Sequence, residues 1–344
     1  MASRIAICIP TYQRPTYLRE AIQSVLEQSY NNFTIYISDN ASQDNTREVV
    51  ASFHDPRIIY HRNEQNIGST LNTKLAVQKA TQDKGTEYVA LLCDDDLYMP
   101  DHLAIAIDAL EKHEQAAYFN CPGKTFGNGQ SDVMYMFPNP TGDSPLLYYK
   151  TDRAVEFIGV TAGLGSSLVI RKVALLDHLY WGNKDFLPYD LLLYTQLMAH
   201  GGFVFGRLPT VCYRYHDANL SSYSNGKWLF NEKLVCMRAY AARYVAQFLV
   251  NKGDCSLTDI ENHCRTAVAE QIVALVMGLA SFESPPALRR LAHRVFRTRT
   301  DADSISHRFR IARKIGFLFF ALSEKASQLL TGWKPEPIQL TTNL

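Results

Sequence analysis

Leu92-Cys93-Asp94-Asp95-Asp96-Leu97 closes an apolar run that begins at Tyr88. So few charges over residues 88–93 predict a buried strand, and three adjacent carboxylates at its end repel one another. Two readings are open at this point. The triplet becomes favourable when a divalent cation and a phosphate-bearing ligand sit beside it. Alternatively, Asp96 caps a helix that starts near Pro100, and its neighbours are solvated.

Working outward, the first hundred residues alternate short apolar strands with amphipathic helices. Strands are expected at 5–9, 33–38, 58–61 and 88–93, and helices at 16–28, 46–53 and 69–81. In the first helix Leu18, Ile22, Val25 and Leu26 recur at helical spacing. Strands alternating with helices predict a parallel sheet with crossover helices, hence a doubly wound α/β domain. In such sheets ligands gather beyond the carboxyl ends of the strands. That rule puts Pro10–Arg14, Asp39–Ser42 and Asp94–Asp96 along one rim. Further on, loops and hairpins are expected over 120–160, a strand over 164–171, a helix over 188–200 and one or two strands over 203–215. Beyond about residue 225 the pattern is helical, at 228–250, 257–282, 286–298 and 304–330.

The chain has 344 residues, 47% of them apolar, enough for one large domain or one domain with an appendage. Seven cysteines, odd in number and without a C-x-x-C pair, argue for reduced thiols in a cytoplasmic setting. Residues 1–20 lack the order of a signal peptide, and no stretch reaches the roughly 18–20 apolar residues needed to span a bilayer. The expectation is a soluble or peripheral protein. Net charge is +1, yet residues 1–222 carry 18 Lys/Arg against 24 Asp/Glu, and residues 223–344 carry 17 against 10. An acidic front and a basic back suggest different partners for the two halves.

The rim segments resemble the inverting glycosyltransferases of family 2, which have a GT-A fold and use nucleotide-diphosphate sugars. Ile7-Cys8-Ile9-Pro10-Thr11-Tyr12-Gln13-Arg14 is similar to that family's first strand and nucleotide loop. Ile37-Ser38-Asp39-Asn40-Ala41-Ser42-Gln43-Asp44-Asn45-Thr46 resembles its "DN-x-S-x-D-x-T" element, and Asn66-Ile67-Gly68 with Asn72 its "N-x-G…N" turn. The Asp triplet falls at its metal-binding motif. Order and spacing agree over about residues 3–105, with a weaker match to about 222. The resemblance implies a doubly wound, Rossmann-like mixed sheet over residues 1–222, with a nucleotide half at about 1–105 and an acceptor half at about 106–222. Residues 223–344 would add a helical, basic extension. It further implies Mn²⁺ or Mg²⁺ as cofactor and a UDP- or dTDP-sugar as donor.

Each element also has a reading of its own. Pro10, Thr11 and Tyr12 end a strand and expose backbone N–H groups and a ring face to a nucleotide, or they form an ordinary strand-to-helix turn. Arg14 suits a phosphate through its forked donors. Asp39 can accept a base imide N–H, or form an Asx-turn with Asn40 and Ser42. Asn66 sits equally well on a ligand or in a structural loop, where Gly68 permits close backbone approach. For the triplet, the commoner family pattern Asp-x-Asp-Asp places Cys93 at its first Asp, whereas a subset carries a plain triplet. By resemblance Asp95 is the metal ligand, Asp94 the partner of the ribose or of a metal-bound water, and Asp96 structural.

Inverting transfer needs a carboxylate to deprotonate the acceptor hydroxyl. Asp190 interrupts the apolar helix start at Leu187-Pro188-Tyr189-Asp190-Leu191 and matches the last acid of the family's "[E/D]-D-x-x-L" base position. Its alternative is a first-turn acid favoured by the helix dipole, and Asp185 is the runner-up base. Tyr213-Arg214-Tyr215-His216 resembles "Y-R-x-H", implying Arg214 at the diphosphate or donor pocket and His216 in the metal shell. Gly165 and Ser166 would shape the donor and acceptor pocket. Nine Lys/Arg between Arg289 and Lys314, followed by an aromatic run, fit either a peripheral membrane contact over 289–322 or a helix packed on the domain. A membrane contact would fit a lipid-linked glycan acceptor at the cytoplasmic leaflet. Nucleic acid is a poor partner for an acidic front. Two other classes stay open: a nucleotidyltransferase, which expects the glycine that Pro10–Arg14 lacks, and a non-catalytic nucleotide-sugar or glycan-binding module.

Overall fold

Four parallel strands form because β1 (Ile5–Thr11) is apolar on both faces and accepts a neighbour on each edge. The computed structural model describes residues 4–127, 133–134, 144–151, 165–175, 179–182, 189–216, 223–224, 227–228, 249 and 253. The chain divides into two compact units, Met1–Ala154 with Thr161–Tyr215, and Val155–Val160 with His216–Leu344.

In the first unit β1 leads through α1 (Pro15–Leu26) to β2 (Phe33–Asp39), and α2 (Thr46–Ala51) leads to β3 (Ile58–Arg62). Pro15 opens α1, where its fixed φ suits a helix and its missing N–H costs nothing. Leu18, Ala21, Ile22 and Val25 then form its buried stripe. After β3 the direction reverses: α3 (Ser69–Gln82) carries the chain back so that β4 (Tyr88–Leu91) pairs with the other edge of β1. Right-handed crossovers on both sides of β1 place α1 and α3 on opposite faces of the sheet. The point of reversal, between β1 and β4, is where such a sheet opens a crevice.

Next come β5 (Leu97–Tyr98), α4 (His102–Lys112), β6 (Tyr118–Asn120), β7 (Gly123–Phe126), β8 (Val133–Met134) and β9 (Leu146–Tyr149). They are followed by β10 (Val169–Arg171), α5 (Tyr189–Gly201), β11 (Phe203–Gly206) and β12 (Val211–Arg214). The main sheet runs β3-β2-β1-β4-β10-β6-β11-β9, and a second runs β5-β12-β7-β8. The sheet is mixed, because β10 pairs antiparallel with both β4 and β6, and β9 antiparallel with β11. Alternation of strands and helices foretells only its parallel part. The core lies between one face of the sheet (Ile5, Ile7, Ile9, Phe33, Ile35, Ile37) and the buried sides of α1 and α4. In the second unit, β13 (Tyr223–Ser224) pairs antiparallel with β14 (Lys227–Trp228), so the helix expected over 228–250 does not start at Trp228; residues 229–248 lie outside the described residues, and Leu249 is helical.

Three local expectations change. The strand expected over 88–93 stops pairing at Leu91; Leu92 N still donates to Cys8 O at 3.1 Å, and the chain then leaves the ladder. The helix after the triplet starts at His102 with Asp101 at its N-cap position, so Asp96 does not cap it. The strand expected over 164–171 is a single 3₁₀ turn at Gly165–Ser167 followed by β10, because Ser166 and Ser167 turn inward to hydrogen bonds. The helices expected at 257–282, 286–298 and 304–330, the segment 289–322 and Asp185 lie outside the described residues.

His102 is a buried titratable group of this frame, 0% exposed. Its ring lies 4.3 Å from that of Tyr98, Nδ1 is 2.8 Å from Thr210 Oγ1, and Nε2 is buried without a hydrogen-bond partner among the described residues. Burial pushes its pKa down to about 3. Below about pH 6.5 the unfolded chain takes up a proton that the folded ring refuses, so this histidine removes up to about 1.4 kcal/mol of stability per pH unit. The free-energy difference between wild type and His102→Gln, from urea midpoints, should therefore shrink steadily as pH falls from about 6.5 to about 4.5. A difference independent of pH would contradict a buried neutral imidazole.

Candidate active site

All four parallel strands end on the same side, and their following loops meet there. Thr11 O, at the end of β1, accepts from Asn40 N at 2.9 Å, and Asp39 O, at the end of β2, accepts from Asn63 N at 2.8 Å. Gln13 takes a left-handed conformation, φ 53°, uncommon outside glycine. Its N–H donates to Ser42 Oγ at 2.9 Å, tying the first loop to the second. Asn40, Asn63, Asn66 and Asn72 tie the second to the third: Asn40 Nδ2 donates to Asn66 Oδ1, and Asn63 Nδ2 to Asn40 Oδ1 and Asn72 Oδ1. Gly68, at φ 85°, turns the chain into α3.

The fourth loop holds the triplet, and each carboxylate has its own partners. Asp94 accepts from Thr11 Oγ1 at 2.7 Å, from Tyr12 N at 3.4 Å and from Arg14 Nη1 at 3.2 Å. Asp95 Oδ2 accepts from the same Arg14 Nη1 at 2.7 Å. Asp96 faces the interior: Ser166 Oγ donates to its Oδ2 at 2.5 Å and Arg214 N to its Oδ1 at 3.0 Å. Ser166 Oγ also accepts from Cys93 N at 3.1 Å. Arg214 Nε donates to Asp95 O at 2.8 Å, and Nη2 pairs with Glu20 on α1.

These contacts leave a surplus of negative charge. The three carboxylates are only 5%, 7% and 2% exposed. Burial and the neighbouring Asp95 raise the Asp94 pKa to about 6, against the pull of Arg14 and Thr11. Burial and Asp95 likewise push Asp96 well up, against its bonds from Ser166 and Arg214. Cys93 is held as a thiol, its pKa pushed up by burial and by the triplet. Among the described residues, Cys93, Asp95 and Asp96 bring ligand atoms within 4.8 Å of one another. Crowded, buried carboxylate oxygens beside a protonated thiol fit a hard divalent cation that takes most of its ligands from oxygen.

The other residues singled out by sequence fall as follows. Pro10 lies in β1, and Tyr12 is 40% exposed at the rim, its ring open to solvent. Asp39 is buried: Oδ1 accepts from Ser42 N at 2.9 Å and Oδ2 from Tyr60 Oη at 2.5 Å. This is the turn geometry of its structural alternative, although a carboxylate keeps further lone pairs for a ligand. Asn66 Oδ1 accepts from Gly68 N at 2.9 Å, also within its own turn. Gly165 opens the 3₁₀ turn, and a Cβ there would meet nothing within 4 Å. Asp190 stands in the first turn of α5 and is half-buried. The Tyr189 hydroxyl beside it bonds Thr73, and burial, with Cys93 and Asp190, pushes its pKa up. His216 opens the second unit and is buried. Sequence reading did not single out Glu20 or Tyr60, whose partners lie 194 and 21 residues away.

A family model described as glycosyl transferase family 2 matches residues 6–179. The chain belongs to that family, and its fold is of the GT-A class. It is 33% identical over 223 residues to an uncharacterised glycosyltransferase of Rickettsia typhi, covering 63% of this chain and 66% of that protein. It is 37% identical over 187 residues to the abequosyltransferase RfbV of Salmonella typhimurium, covering 49% of this chain and 53% of that protein. The chain thus spans from about half to two-thirds of the length of these relatives. S. aureus TarS 1–349, solved with UDP-GlcNAc, is similar in fold, with TM-score 0.55, 15% identity, and 94% of this chain and 91% of that one covered.

Ser166→Ala would leave Asp96 Oδ2 and the Cys93 N–H without their buried partner, at a cost of about 1–3 kcal/mol in urea unfolding. A loss below about 0.5 kcal/mol would mean that this brace is not needed to hold the triplet.

Proposed function

We propose that this protein is a metal-dependent inverting glycosyltransferase that moves one sugar from a UDP- or dTDP-sugar to a hydroxyl of a glycan acceptor. The observation that carries the reading is the meeting of Thr11, Tyr12 and Arg14 with Asp94 and Asp95 at the reversal point of the sheet. The family match and the abequosyltransferase relative support sugar transfer.

In this reading Pro10, Thr11 and Tyr12 border the nucleoside, with Tyr12 offering its ring, and Asp39 accepts the base imide N–H. Asn66 shapes the turn beside them, and Asp94 takes the ribose or a metal-bound water. Arg14 offers its forked donors to the diphosphate. Asp95 would hold Mn²⁺ or Mg²⁺, which supplies Lewis-acid stabilisation to the departing nucleoside diphosphate. Gly165 and Ser166 shape the wall of the donor and acceptor pocket, and Arg214 stands behind the triplet loop. Asp190 removes the proton from the acceptor hydroxyl as it attacks the anomeric carbon from the face opposite the diphosphate, and the configuration inverts.

The domain reading is a catalytic domain over 1–222 and a basic helical region over 223–344. Among the described residues no helix is long and apolar enough to cross a membrane. A peripheral contact through 289–322 at the cytoplasmic face, with a lipid-linked glycan as acceptor, is the membrane part of the proposal, and its support is the run of arginines.

Asp190→Asn and Asp95→Asn separate the roles. Asp190→Asn should lower kcat at least about 100-fold, with donor binding by calorimetry unchanged. Asp95→Asn should lower kcat and also remove the effect of Mn²⁺ on donor affinity. Wild-type turnover in Asp190→Asn would rule out the assigned base.

A further inference from the structure

Arg214 ends β12 in the second sheet, yet its backbone N–H, Nε and Nη2 are aimed at the triplet loop and at α1. Its backbone N–H goes to Asp96 Oδ1 at 3.0 Å and its Nε to the carbonyl of Asp95 at 2.8 Å, while Nη2 pairs with Glu20. The guanidinium lies over two rings, its Cζ 4.7 Å from the centroid of Tyr17 and 4.4 Å from that of Phe126. The side chain is 12% exposed. A planar fork with donors fixed in two directions and two rings packed against it has little freedom to turn toward a ligand. Arg14 contrasts with it: its contacts are to side-chain oxygens of Asp94 and Asp95, at the rim.

We propose that Arg214 is the positioning residue of the Asp95–Asp96 turn and not a contact to the donor. This rests on the reading of Asp95 as the metal ligand. The side chain fixes the Asp95 peptide by its carbonyl, and the backbone of the same residue fixes the Asp96 carboxylate. The direction in which the Asp95 carboxylate leaves the chain is thereby set from the far side of the loop. Glu20 in turn holds the fork in place from α1, so three elements distant in sequence define the orientation of one ligand. Groups that orient a metal ligand from behind typically change metal affinity about 10–100-fold when removed.

The test is a titration of Mn²⁺ followed by the loss of its free-ion EPR signal, on full-length wild type, Arg214→Met, Arg214→Lys, Glu20→Gln and Asp95→Asn. UDP binding without metal and urea midpoints are measured alongside. Methionine keeps the stem and the backbone N–H to Asp96 but loses the fork, so Arg214→Met should weaken Mn²⁺ binding about tenfold or more while metal-free UDP affinity stays at the wild-type value. Lysine can reach one of the two acceptors but not both, so Arg214→Lys should fall between Arg214→Met and wild type, and Glu20→Gln should weaken Mn²⁺ binding about threefold. Folded Arg214→Met with wild-type Mn²⁺ affinity would overturn the proposal. Loss of metal-free UDP affinity with Mn²⁺ binding intact would overturn it too, and make Arg214 a donor contact. If Arg214→Met does not fold, wild-type Mn²⁺ affinity in both Arg214→Lys and Glu20→Gln overturns it. Wild-type Mn²⁺ affinity in Asp95→Asn would instead overturn the metal reading beneath it.

Discussion

The buried carboxylate of Asp96 is the constraint on which the rest depends. It lies where the chain leaves the main sheet after β4 and enters the second sheet at β5, and it accepts from Ser166 just before β10 and from Arg214 at the end of β12. One side chain therefore ties the switch between sheets to two segments that lie 70 and 118 residues further along the chain. A carboxylate in such a place is expensive unless its oxygens are met, and both are. Because Asp96 is held inward, Asp94 and Asp95 are left on the side of the crevice between β1 and β4.

Three adjacent carboxylates in one loop thus do three different things. Asp94 closes the loop after β1 through Thr11 and Tyr12, Asp95 meets Arg14 at the rim, and Asp96 braces the frame. The two arginines divide in the same way. Arg14 faces the side chains from the crevice, and Arg214 holds the main chain from behind. A single guanidinium at the rim does not balance the triplet, and Asp94 and Asp96 keep raised affinities for protons. That shortage of positive charge is the physical argument for a divalent cation in the crevice.

Much of this was legible in the sequence because it is local. The apolar spacing of β1 to β4 and their intervening helices gives the parallel part of the sheet, and parallel strands oblige the loops at Pro10–Arg14, Asp39–Ser42 and Asp94–Asp96 to share a rim. The antiparallel strands β9 and β10 are too short to show a period, so the mixed character of the sheet came through family resemblance and not through pattern. The helix-cap reading of Asp96 was physically reasonable, yet Asp101 stands nearer the helix and takes that place. Ser166 was visible as a small residue before a strand, but its bond to Asp96 was not. Nothing near Glu20 in sequence announces a partner 194 residues away. Long-range polar contacts leave no periodic trace, and these are what separate the roles of the three aspartates.

The proposed function requires the crevice between β1 and β4 to take a nucleotide sugar together with a divalent cation. The most direct measurement is a thermal-shift panel of UDP-, dTDP- and other nucleotide sugars, each with and without Mn²⁺, since a ligand that binds only the folded state raises its apparent stability. A UDP- or dTDP-sugar with Mn²⁺ should raise the Tm by more than the sum of its effects without metal and of Mn²⁺ alone. A panel in which no nucleotide sugar shifts the Tm, with or without metal, would contradict it.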